Sequence, residues 1–119
     1  MYISSITKDE LMMDSRQMYN ATSHLTSIVT WKDWEYFGTD TEINYDSIGK
    51  LIDRYLGDSE ILFINGRRDS GQYRRDEIIR RIKPFLGDHH FQLWTVTMNK
   101  VIQFGNIGVY RIGSIIEES

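Results

Sequence analysis

Cysteine is absent from the 119 residues, proline occurs once, at Pro84, and no uninterrupted apolar run is longer than Ile61 to Ile64. Without cysteine there can be no disulfide, no thiolate metal site and no cysteine nucleophile, so the fold must hold by packing alone. A single proline, with no Pro/Gly/Ser-rich tract and no internal repeat, leaves nowhere for a linker and favours one continuous domain over residues 1–119. The longest apolar run is far short of the roughly 20 residues that a membrane-spanning helix needs. The first ten residues, Met1 to Glu10, lack a basic stretch followed by an apolar one. With the missing cysteines, this makes the cytoplasm the expected compartment.

What is present is globular in character. Hydrophobic residues make up 40% and charged residues 26%, with 3 Trp, 7 Tyr and 5 Phe, enough to pay the ordering entropy of one hydrophobic core. Net charge is −3, but it is unevenly spread. Residues 1–60 carry 11 acids against 5 bases, a net of −6, whereas residues 67–83 carry 7 bases against 3 acids, a net of +4. This asymmetry carries more information than the total.

Local patterns predict the elements. Thr7 and Glu10 have capping-box spacing and open a helix over Lys8 to Tyr19, with Leu11, Met12, Met18 and Tyr19 on one side. His24 to Tyr45 mixes β-type residues with charges and reads as a short extended or helical piece followed by an acidic loop. Ile48, Leu51, Ile52, Tyr55 and Leu56 then recur at helical spacing, with Asp46 placed to cap the start and Gly57 the end. Ile61 to Ile64, bounded by Glu60 and Asn65-Gly66, suits a central strand covered on both faces. Residues 65–72 read as a loop. A third helix is expected over Tyr73 to Phe85, with Ile78, Ile79 and Ile82 inward and Pro84 and Gly87 closing it. Phe91 to Met98, Val101 to Phe104 and Ile107 to Ile112, separated by turn pairs at Asn99-Lys100 and Gly105-Asn106, form a closing three-stranded meander. The expected class is α+β: a mostly antiparallel sheet with about three helices packed on one face.

Each candidate for chemistry has a plainer counterpart. The basic segment Arg67 to Lys83 could bind phosphate. Against that, Asp76 precedes Arg80 by four and Glu77 precedes Arg81 by four, the spacing of intrahelical ion pairs, and only Arg75 is expected to point inward. Arg67, Arg68 and Arg74 remain an alternative anion or partner patch. His89-His90 invites a metal hypothesis, but adjacent residues entering a strand face opposite ways and cannot converge on one ion. Gly105, Gly108 and Gly113 lack the strand-then-helix context of a phosphate loop and read as turns or bulges. The acids Asp33, Glu35, Asp40, Glu42 and Asp46 lie on a polar loop with nothing to separate their pKa values for acid/base work. Interleaved with Trp34 and Tyr36, they form instead a candidate partner-binding surface, while Trp31 and Phe37 are expected in the core. No catalytic residue, metal ligand or cofactor site is expected.

The run FQLWTVTMNKVIQFGNIGVYRIG, Phe91 to Gly113, resembles the closing β-meander of small bacterial immunity proteins of the contact-dependent growth inhibition or polymorphic-toxin type. The matching places are Trp94, Asn99, Phe104, Asn106, Ile107, Gly108 and Gly113, and the upstream order of amphipathic helix, strand, polar loop and helix is similar; about half the chain is covered. The resemblance implies a cytoplasmic, non-enzymatic inhibitor that occludes a cognate toxin domain, often a nuclease. It transfers no functional residue by position, because such families diverge on the toxin-facing surface. The acidic N-terminal half suits a basic, nucleic-acid-cutting partner, since complementary charge speeds encounter. The alternative function is nucleic-acid binding through Arg67 to Lys83.

Overall fold

A computed structural model describes residues 14–37, 44–57, 59–86, 89–105 and 108–115. Among them the chain forms helix α1 (Ser15–Thr26), strands β1 (Thr30–Trp31) and β2 (Glu35–Tyr36), helix α2 (Tyr45–Leu51), strands β3 (Glu60–Ile64) and β4 (Gly71–Arg74), helix α3 (Arg75–Ile82), and strands β5 (Phe91–Thr95), β6 (Lys100–Phe104) and β7 (Val109–Ser114). The seven strands make one antiparallel sheet in the order β1-β7-β6-β5-β3-β4, with β2 also paired to β7. The meander β5-β6-β7 closes the chain as expected, and no described helix is long and apolar enough to cross a membrane.

The helices differ from expectation in their distribution. They were expected on one face and instead cover both. On one side α2 and α3 bury Ile48, Leu51, Ile52, Ile78 and Ile82 against Ile61, Phe63, Leu93, Ile102 and Phe104. On the other, α1 sets Met18 against Leu62, Ile64, Trp94 and Val101. Strand β3 thus sends alternate residues into two cores. Its continuous apolar run follows from that, as does its place between β4 and β5.

Helix α1 starts at a capping box of Asp14 and Gln17, each side chain accepting the other's backbone N–H. The expected start at Lys8, with Thr7 and Glu10, lies outside the described residues. The expected end at Tyr19 is seven residues early. Apolar periodicity fades there because Thr22 occupies the next core-facing position; it is fully buried, and its hydroxyl donates to the Met18 carbonyl at 2.8 Å.

Asn44 rather than Asp46 caps α2, accepting from Ser47 N at 3.0 Å. Asp46 sits in the first turn, where it complements the helix dipole. The helix continues into a π-helical turn, Ile52–Leu56, and ends at Gly57 with φ +69°, the left-handed stop that glycine provides without strain.

Strand β4 was not anticipated: Tyr73 and Arg74, expected in the third helix, belong to it, and α3 starts only at Arg75. Four residues of mixed polarity at a sheet edge leave no periodicity to read. The hairpin loop before it is pinned to α1. Ser15 Oγ donates to the Arg67 carbonyl at 2.7 Å and accepts from Ser70 N at 2.8 Å, while Ser70 Oγ closes the loop onto the Gly66 carbonyl at 2.6 Å.

Candidate functional site

The strap from Thr30 to Phe37 runs antiparallel to β7 and is fastened to it along its length. Thr30 and Trp31 pair with Ser114 and Gly113, Glu35 and Tyr36 with Tyr110 and Val109. Backbone bonds from Lys32 N to the Ile112 carbonyl and from Phe37 N to the Gly108 carbonyl, each 2.9 Å, complete the fastening. The strap borders the sheet, and it carries most of the described part of the expected partner-binding set.

Side chains lock it further. The Arg111 guanidinium lies between two indoles, 4.1 Å from the Trp31 ring and 4.7 Å from the Trp34 ring, and its Nε–H donates to Gln103 Oε1 at 2.8 Å. Burial lowers its pKa, but an arginine keeps its charge at any physiological pH. Beneath Trp34 is Gly105, where an added Cβ would lie 3.6 Å from the indole and only 2.9 Å from Val109. Trp34 thus packs near Gly105 and against Arg111, yet 43% of it stays exposed, and the neighbouring strap residue Tyr36 is 77% exposed.

Of the expected partner-binding residues, Asp33, Trp34, Glu35, Tyr36 and Asp46 are all exposed. Asp33 to Tyr36 are adjacent on the strap, and Asp46 stands on α2. Asp40 and Glu42 lie outside the described residues. Phe37 is buried, with its ring edge-on to Phe104 at 5.6 Å, and Trp31 is partly buried against the α1-side core, as expected for both.

Two features of this region were not anticipated. Tyr36, Phe37, Ser47, Lys50, Arg54 and Tyr110 line a cleft of about 260 Å³ between the strap and α2. Lys50 and Arg54 make no ion pair among the described residues, so the acidic strap borders a cationic wall. Burial raises the Tyr110 pKa; Glu35 adds to the rise and Arg54 opposes it. The second feature is the other face, where Tyr19, Ser23, Thr26, Asn65, His90, Gln92 and Gln103 line an open cleft of about 300 Å³. The residue types alone could not have found either, since Lys50 reads as a solvated helix position and the glutamines as strand filler.

The basic segment is largely spent on architecture. Arg74 Nε lies 3.3 Å from Asp76 and 3.4 Å from Glu77. Arg75 binds Asp53 and the Gly49 carbonyl, tying α3 to α2. Arg81 was expected outside and instead points inward. It pairs with Asp69, donates to the Tyr73 hydroxyl at 3.1 Å and covers the Phe63 ring at 4.9 Å. In place of the expected pairs Asp76–Arg80 and Glu77–Arg81, Asp76 and Glu77 pair with the nearer Arg74, and Arg81 reaches Asp69, because an arginine gains more over an aromatic wall than on a solvated face. Of the alternative patch, Arg74 is paired, while Arg67 and Arg68 are exposed without an ion pair among the described residues.

His89 packs edge-on against Phe85 at 5.5 Å, and His90 lines the α1-side cleft; the two rings are on opposite faces. Among the described residues no three His, Asp or Glu side chains gather as a metal-binding group. Comparison with known proteins finds no matching family model, no matching curated protein and no matching solved structure.

Proposed function

We propose that this chain is a binding protein of the immunity type, which neutralises a cognate bacterial toxin in the cytoplasm by covering its functional surface through the strap Asp33 to Tyr36. The observation that carries this reading is Tyr36, 77% exposed next to a half-exposed Trp34 that stacks on Arg111. A large aromatic held in water loses the hydrophobic gain of burial, and a rigid one has already met the ordering cost of an interface. Aromatic anchors of this kind dominate binding energy when a partner covers them. Asp33 and Glu35 flank the anchors with negative charge and suit a basic partner such as a nuclease domain. The cationic wall at Lys50 and Arg54 makes the same surface two-signed, and this would exclude partners that are simply basic.

The test is association with the toxin encoded beside this chain. Tyr36→Ala and Trp34→Ala should each cost about 2 kcal/mol, a roughly thirtyfold faster dissociation, as for hot-spot aromatics. Glu35→Lys should slow association and flatten its salt dependence. Wild-type rates in all three variants would remove the strap from the interface. Nucleic-acid binding is the competing reading, supported by Arg67 and Arg68 on their pinned loop. Affinity for RNA or DNA that falls steeply with salt and vanishes in an Arg67→Ala, Arg68→Ala variant would favour it instead.

A further inference from the structure

Gln92, Gln103 and Arg111 stand in one row across β5, β6 and β7, directly opposite one another in the strand register. The row faces the α1 side of the sheet. Both amide orientations are dictated by neighbours that can only donate. The indole N–H of fully buried Trp94 meets Gln92 Oε1 at 2.8 Å, and the Arg111 Nε–H meets Gln103 Oε1 at 2.8 Å. Neither nitrogen can accept a hydrogen bond, so each amide must turn its oxygen toward that neighbour and its amino group away.

Each amide oxygen already accepts from a structural neighbour, whereas both amino groups point away from it and are uncommitted. Among the described residues neither amino group has a partner, and the terminal nitrogens of Arg111 have none either. No buried side-chain nitrogen or oxygen lacks a hydrogen bond, so these donors face accessible space. For the glutamines that space is the α1-side cleft, which His90, Tyr19 and Ser23 also line.

A floor of adjacent donors beside one fixed cation complements a group that only accepts and carries a single negative charge. We propose that the α1-side cleft binds a small carboxylate, its two oxygens spanning the amino groups of Gln92 and Gln103, with Arg111 at the end of the row supplying the opposite charge. A phosphate dianion would be under-compensated by one guanidinium and two neutral amides. A cleft of about 300 Å³ is at the lower limit for ligand sites and suits an acid of a few carbons. The inference does not depend on toxin binding, because the glutamine row stands whether or not a partner covers the strap, although Arg111 at its end is stacked by Trp34.

The side-chain amide resonances of Gln92 and Gln103 report directly on the proposed contact. In ¹⁵N-labelled protein titrated with butyrate at low salt, both pairs should shift together and saturate, with a dissociation constant of about 1 mM or tighter. Neutral butyramide should leave them unmoved. Gln103→Glu and Gln92→Glu each keep the acceptor that Arg111 or Trp94 needs and replace the amino group with an oxygen anion. Each should weaken butyrate binding at least about tenfold, while the backbone amide resonances of helix α3, on the other face of the sheet, stay in place to show the fold intact. Either variant alone decides the matter if the other fails to fold. No saturable shift, equal shifts with butyramide, tighter binding of inorganic phosphate than of butyrate, or wild-type binding in a folded variant would each overturn the proposal.

Discussion

Replacing Arg111 with alanine tests whether one side chain holds the candidate docking strap in place. Its guanidinium is 4.1 Å from the Trp31 ring and 4.7 Å from the Trp34 ring, with one hydrogen bond to Gln103. A cation over an indole contributes about 0.5–1 kcal/mol when solvated and about 2 when desolvated, so partly buried Trp31 is assigned about 1 and half-exposed Trp34 about 0.5. The charged donor on Gln103 adds about 1.5 kcal/mol. Against this gross gain of about 3 kcal/mol, releasing the long side chain returns about 1 of rotamer entropy, leaving a net loss near 2. With a urea slope of about 2 kcal/mol/M for a domain of this size, the unfolding midpoint should fall by about 1 M. Arg111→Lys keeps the charge without the plane that stacks and should recover less than half of the loss. Urea titration followed by circular dichroism reads the stability, and tryptophan fluorescence reads the release of Trp34. A midpoint within error of wild type in the alanine variant, or full recovery with lysine, would refute the stacking account.

Two further perturbations probe the same edge. At Gly113 an added Cβ would collide with the Val29 side chain and lie 2.8 Å from the Trp31 ring, so Gly113→Ala should cost about 1–3 kcal/mol by overpacking and detach β1; unchanged hydrogen exchange at Thr30 and Trp31 would count against this. Burial raises the pKa values of Tyr55 and Tyr110 above the usual tyrosine value of 10.0, so the unfolded chain loses these protons first as the pH climbs. Stability should hold up to about pH 10 and then decline through the folded-state pKa values. A Tyr55→Phe, Tyr110→Phe variant should show a shallower alkaline decline, and an identical slope would sink the assignment.

The fold was legible where burial wrote a strong pattern. The periodicity of Ile48 to Leu56, the apolar run of β3 and the three strands of the meander all declare themselves, because each faces a core that tolerates no polar residue without a partner. The misreadings share the opposite cause. Helix α1 was cut short at Tyr19 because a buried threonine satisfied by its own helix imitates a polar surface position. Strand β4 was missed because an edge strand needs apolar residues on neither side. Centring the buried face of α3 on Ile78, Ile79 and Ile82 puts Arg81 to the side or outside, yet an aromatic wall of Phe63, Tyr73 and Phe85 and the Asp69 carboxylate give a guanidinium more than solvent does.

The candidate sites divide along the same line. Exposed aromatics among acids are visible as a local pattern, and the strap from Asp33 to Tyr36 could be named from it. The row of Gln92, Gln103 and Arg111 could not, since these residues are separated by eleven positions and then eight, and nothing in their spacing marks them as neighbours. Register alone brings them together: two hairpins align Gln92 with Gln103 and Gln103 with Arg111. A slip of one residue in either would turn a glutamine into the apolar core on the far side, which the burial of Leu93, Ile102 and Phe104 forbids. The hydrophobic residues that fix the register therefore also assemble the polar row, although none of them touches it.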